Sequence, residues 1–168
     1  MRAYEISEFG SFDVLKAVEH ERPRPGYGQV LVEFKAFSLN YRDLMTIRGA
    51  YNPRMKLPVV PLSDGAGVVV ELGDGVSRWK VGDRVCPIFM QEWIDGPIDD
   101  LKGRSALAGS PKWNGVLREV GAFSEHGLVA IPDHLSFEEA ATLPCAAVTA
   151  WNALIDGGGL RPGETVLT

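Results

Sequence analysis

The chain has 168 residues, 45% of them hydrophobic, and a net charge of -5, so it can bury the core of one domain, or of one domain plus part of another. The acidic excess includes no basic block, which excludes the electrostatic footprint of a nucleic-acid binder. No apolar h-region follows Met1 and no window approaches the roughly 18 apolar residues of a membrane span, so a soluble cytoplasmic protein with no membrane partner is expected.

The first two thirds read as strands and turns. Pro23, Pro25, Gly26 and Gly28 mark a turn, after which Val30, Val32, Phe34 and Ala36 alternate with polar Glu33 and Lys35 as a half-buried strand does. The alternation stops at Asn40, Tyr41, Arg42 and Asp43, a polar run with neither glycine nor proline to turn the chain. Further strands are expected over 66–72, 84–89 and 128–131, with tight turns in GDGVSRWKVGDRV between the first two. Between 91 and 114, Gly, Pro, Asp, Lys and Ser surround Trp93 and Trp113, which predicts a long loop, either a substrate lid or a surface excursion. This part reads as a small all-β barrel.

The composition changes at Pro132. Ser136 and Glu139 are spaced as a capping box at a helix start, and Pro144 is expected to end or kink that helix. Ala147, Val148, Trp151, Leu154 and Ile155 then form an apolar stripe, which predicts a second helix packed on a core and stopped by Gly157, Gly158 and Gly159. The closing GETVLT reads as the first half of a buried strand. Cys86 and Cys145 are too far apart for a CxxC motif and too few for a disulfide framework, so both are expected reduced, Cys86 in the core and Cys145 as a small buried hydrophobe. His20, His126 and His134 lack metal-binding spacing and are assigned to neither metal nor catalysis.

Taken together, PRPGYGQVLVEF, SLNYRDL, PLSDGAGVVVELGDGV, WKVGDRV, GAFSEHGLVAIP and SFEEAATLPCAAVTAWNAL resemble, in order, the medium-chain dehydrogenase/reductase superfamily. The resemblance implies a mainly β fold: a GroES-like catalytic barrel over 1–131, then over 132–168 the helical start of an α/β Rossmann domain. It also implies NADP- or NAD-dependent hydride transfer to or from a small carbonyl, enone or quinone substrate, with a homodimer formed through the Rossmann domain. The zinc enzymes of this superfamily carry cysteine where this chain has Asn40 and a His-Glu pair where it has Ser63 and Asp64. Only Cys145 keeps a ligand-type thiol, and 91–114 lacks the cysteines of a structural zinc lobe, so neither zinc is expected.

Without a metal, hydrogen-bond donors must stabilise the substrate oxygen. The resemblance places Asn40 and Tyr41 beside nicotinamide and substrate, the Asn40 amide or Tyr41 phenol polarising a carbonyl; the alternative is that both satisfy backbone groups at the strand end. Asp43 either organises the site or caps a short helix over 44–47. Asp64 either lines the cleft or forms an Asx turn, Ser63 bonds locally, and Arg42 forms an ion pair or meets a substrate carboxylate. Thr149, with Asn40 and Cys145, is assigned to cofactor contact. The glycine-rich pyrophosphate loop of a Rossmann unit is expected beyond Thr168, so this chain alone is expected to bind NADPH weakly or not at all. Two other readings stay open: a zinc alcohol dehydrogenase with altered ligands, and a non-catalytic GroES-like interaction module.

Overall fold

The computed structural model describes residues 1–110 and 112–167. Its centre is a five-stranded antiparallel sheet in the order β6-β3-β4-β5-β7, and a separate ribbon pairs β1 (Arg2–Ile6) with β2 (Leu15–Glu19). Strand β3 (Gln29–Ser38) lies between β4 (Asp64–Leu72) and β6 (Val120–Ser124); β5 (Arg84–Pro87) and β7 (Leu128–Ala130) complete the sheet. The alternation read in the sequence holds: Val30, Val32, Phe34 and Ala36 are buried, while Lys35 is exposed.

Two register irregularities between β3 and β4, at Leu31/Val32 and Phe34/Ala36, bend the sheet into an open half-barrel. The second divides the core. Phe34 packs with Val69, Val85, Leu107 and Phe123, whereas Ala36 packs with Ala66, Cys86 and Ile131 beneath α3 (Phe137–Ala141). The strands approach closely here because β4 carries Gly67: a Cβ there would stand 2.2 Å from the Glu33 carbonyl oxygen.

The helix after the composition change begins as its capping box predicts. The Ser136 hydroxyl accepts from the Glu139 N–H at 3.1 Å, and the Glu139 carboxylate accepts from the Ser136 N–H at 2.8 Å. Ala140 and Ala141 fasten this helix to the sheet.

The end or kink expected at Pro144 is observed: α3 stops at Ala141, and Pro144, lacking an N–H, sits in a widened turn over Leu143–Ala147, from which a helical run continues through α4 (Val148–Trp151) and a second wide turn over Asn152–Gly157. Three local expectations are corrected. The apolar stripe on that run is not core, since Val148 and Trp151 are 61% and 64% exposed. Helical spacing identifies a stripe but not what covers it. Residues 164–167 pair with no strand among the described residues, Leu167 being 99% exposed, and Thr168 lies outside those residues.

Finally, the described part of 91–114 is folded rather than a loose excursion. A short helix α2 (Asp100–Gly103) is capped by the Asp99 side chain, Ala106 bridges to Met90, and Leu107 is fully buried in the core; Pro111 lies outside the described residues. Its two tryptophans part company, Trp113 packing on the core and Trp93 lining a cleft.

The turn between β4 and β5 is tied to the end of β6 by Glu125, a residue unmarked in the sequence reading. Its carboxylate accepts from the Ser77 and Arg78 N–H groups, each at 2.9 Å, and its carbonyl oxygen accepts from the Trp79 indole at 2.7 Å. Those backbone bonds hold its carboxyl below the usual carboxylate range. Replacing Glu125 by Ala, which removes the charged acceptor of two N–H groups at exposed residues, is expected to lower unfolding stability by about 1 kcal/mol in urea denaturation. A group with a depressed folded pKa stabilises fully above its unfolded value, near 4.5, and less as pH falls through the folded one. The difference between wild type and Glu125→Ala should therefore shrink below pH 4.5.

Candidate functional site

The antiparallel register of β3 and β4 pairs Ser38 with Asp64. Asn40, two residues past the end of β3, is thereby brought beside the first residue of β4. There the chain turns into α1 (Tyr41–Ile47), so the polar run that interrupted the alternation is a helix start rather than a solvated loop. Asp43, on the first turn of α1, reaches back to accept from the Asn40 N–H at 2.8 Å.

Asp64 is fully buried, and a buried carboxylate must be met by donors. Its Oδ2 accepts from Asn40 Nδ2 at 3.0 Å and from the Cys145 N–H at 3.2 Å, while its Oδ1 accepts from the Ser63 hydroxyl at 3.2 Å. A carboxylate acceptor requires Asn40 to present its amide nitrogen, which leaves one N–H and the carbonyl oxygen of that side chain for other partners. Burial raises the pKa of both Asp43 and Asp64. The backbone entering this site is strained. Leu62, two residues before Asp64, has φ 66°, a left-handed conformation uncommon for a bulky residue. Its carbonyl is held by the Val116 N–H at 2.9 Å. Close packing by Gly115 completes the support: a Cβ there would fall 2.2 Å from the Leu62 and Pro61 oxygens.

Beside this network lies a cleft of about 370 Å³. One wall comes from the end of β5 and the segment beyond it, with Ile88, Phe89, Met90 and Trp93; the other comes from the helical run, with Leu143, Cys145, Val148 and Thr149. No charged side chain lines it, and the Trp93 indole N–H is given to the Gly96 carbonyl at 2.9 Å. Burial raises the pKa of the Cys145 thiol, with nearby Asp64 adding to the rise and a hydrogen bond with Thr149 opposing it. Cys86, buried as expected, also contributes to the cleft wall, and burial pushes its thiol up to about 12.

Of the residues singled out in the sequence, the structure gathers Asn40, Asp43, Ser63, Asp64 and Cys145 into one hydrogen-bonded group. Cys145 and Thr149 line the cleft itself; Asn40 and Asp64 stand behind Cys145. Tyr41 is 74% exposed and lies outside this hydrogen-bonded group. Ile88, Phe89, Met90 and Leu143 escaped sequence reading. The one available signal was a row of apolar residues just past the end of a strand, which is also how ordinary core reads.

The alcohol dehydrogenase GroES-like domain family matches residues 26–133. A zinc-type alcohol dehydrogenase-like protein of Schizosaccharomyces pombe is 45% identical over 95% of this chain and 46% of its own length. Among solved structures, the quinone oxidoreductase from Coxiella burnetii superposes with a TM-score of 0.78 at 28% identity, over 98% of this chain and 47% of that one. A mycobacterial protein complexed with NADPH superposes with a TM-score of 0.75 at 26% identity, over 98% and 44% respectively. The chain thus spans about half the length of the relatives it matches.

The raised thiol pKa values give an order of reactivity. In iodoacetamide labelling at pH 8 followed by mass spectrometry, Cys86 is expected to react ~10³-fold more slowly than free cysteine, about tenfold per pKa unit. Cys145, partly exposed and less perturbed, should label first.

Proposed function

The chain belongs to the medium-chain dehydrogenase/reductase superfamily, and on that footing we propose that it forms the substrate-binding half of a nicotinamide-dependent oxidoreductase acting without zinc on a small carbonyl, enone or quinone compound. The observation that carries this reading is the uncharged cleft with a buried, donor-rich network against one wall. Hydride transfer is the chemistry that the dinucleotide supplies when bound. NADPH is the proposed dinucleotide, as in the mycobacterial relative, with NADH the alternative.

The chain's own residues bind and orient. Thr149 and Cys145, which line the helical wall of the cleft, are the residues proposed to contact the nicotinamide. The N–H of Asn40 not given to Asp64 is the donor proposed for the substrate oxygen that gains charge, and the exposed phenol of Tyr41 is the proposed proton source. Asp64 fixes the Asn40 amide, and Asp43 fixes the backbone that carries it.

The donor set supports the zinc-free reading. Catalytic zinc takes about three protein ligands that offer lone pairs. Here Asn40 turns an N–H donor toward the site, Ser63 donates its hydroxyl, and the Asp64 oxygens already accept from Asn40, Ser63 and Cys145. These residues do not fit zinc.

The test is dinucleotide oxidation by the natural full-length polypeptide against a panel of quinones, enones and aldehydes, with metal analysis of the same sample. Turnover is expected in metal-free protein, and Asn40→Ala should lower kcat/KM roughly 10²-fold, the usual cost of one oxyanion-type donor. Stoichiometric tightly bound zinc would overturn the metal-free mechanism, and absence of turnover with every acceptor would overturn the enzyme reading.

A further inference from the structure

Arg42 is the one charged residue of the polar run that the proposed chemistry leaves idle, and its surroundings are unusual. Its side chain is only 11% exposed. The guanidinium lies over two aromatic rings, 5.2 Å from the Tyr51 centroid and 4.9 Å from that of Phe89. It faces Asp43 Oδ1 at 3.6 Å and reaches the Ala108 carbonyl at 3.5 Å. Among the described residues, Arg42 Nε and Nη2 and Asp43 Oδ1 are all buried without a hydrogen-bond partner. The guanidinium is therefore held chiefly by cation–π contact and charge, with one long hydrogen bond to the Ala108 carbonyl.

These contacts form a continuous path from one wall of the cleft to the other. Phe89 is part of one wall and stacks on Arg42; Arg42 faces Asp43; Asp43 holds the Asn40 N–H; Asn40 holds Asp64; Asp64 holds the N–H of Cys145, which is part of the other wall. We propose that Arg42 is a positioning residue that couples the two walls of the cleft: its guanidinium faces the Asp43 carboxyl and lies over the Phe89 ring, tying the network that holds Cys145 to the opposite wall. The cleft's role as a substrate site rests on the oxidoreductase reading; the coupling itself does not.

Arg42 and Asp64 are the charged groups that act on Asp43. Burial raises its pKa, the hydrogen bond from the Asn40 N–H and then the Arg42 charge lower it, and Asp64 from β4 adds a smaller rise. The same Arg42 charge reaches Asp64 and Cys145. Removing it leaves two buried carboxyls with only hydrogen-bond donors to offset them.

The experiment is an NMR pH titration of the isotope-labelled 168-residue chain, following the Asp43 carboxyl carbon, the Asn40 side-chain amide and the Cys145 N–H. In Arg42→Met and Arg42→Gln the Asp43 midpoint should rise by about one unit or more, as loss of an adjacent opposite charge implies, and the Asn40 and Cys145 signals should move with it. Arg42→Lys should bring the midpoint back to within about half a unit of wild type, which a purely steric role would not do. A folded neutral variant whose Asp43 midpoint and Cys145 signal stay in place overturns the proposal. Should both neutral variants lose their dispersed spectra, Phe89→Leu decides: it keeps every charge, and an unmoved Cys145 N–H in that variant overturns the coupling. No readout involves turnover, so failure of these titrations and failure of the dinucleotide assay are separate results.

Discussion

The buried carboxylate of Asp64 is the constraint around which this molecule is arranged. A carboxylate taken fully out of water is tolerated only where the protein replaces its hydration. Here the replacements come from three places in the chain: the Asn40 amide beyond β3, the Ser63 hydroxyl at the entry to β4, and the Cys145 N–H on the helical run. Satisfying one side chain thus requires the β3–β4 register, the start of α1 and the seating of the helical run to be correct together. It also makes the site costly to disturb, because loss of any donor leaves a charge uncompensated.

The cleft beside this network has the opposite character. Its walls are almost wholly apolar, which favours uncharged ligand surface and excludes water, and a donor in such surroundings acts on a nearby oxygen more strongly than it would in solvent. The division of labour follows: apolar residues from the β5 end and the helical run give the cleft its shape, and the polar residues behind Cys145 give it direction. Arg42 belongs to both, its guanidinium stacked on a cleft-wall ring while its charge faces the acidic network.

Much of the architecture was legible from local pattern. Strands β3, β4, β5 and β7 fall within or beside the expected spans, and the Ser136–Glu139 box starts its helix. Strands β1, β2 and β6 were missed; for β6 the reason is that its burial depends on pairing with a distant segment, Val120 and Phe123 being buried against β3, a partner some 90 residues away in sequence. The segment over 91–114 looked like a loop because its composition is that of turns, yet Leu107 fills the core. The stripe on the helical run showed the reverse error, an apolar face with helical spacing that stands open to solvent.

The site divides along the same line. That Asn40, Tyr41, Arg42 and Asp43 would need partners was legible in the sequence, because a polar run at a strand end with no turn residue asks for them. That Asn40 and Ser63 stand where ligand-type residues would be was implied by the family resemblance, not by the sequence alone. Who the partners are was decided by tertiary structure. The β3–β4 register sets Asn40 beside Asp64, the helical run brings Cys145 from 81 residues away, and Tyr41 is turned outward while Arg42 is turned in under Phe89. Residue type settles what a group can donate or accept; only the folded chain settles which groups come within about 3 Å, where donating and accepting take place.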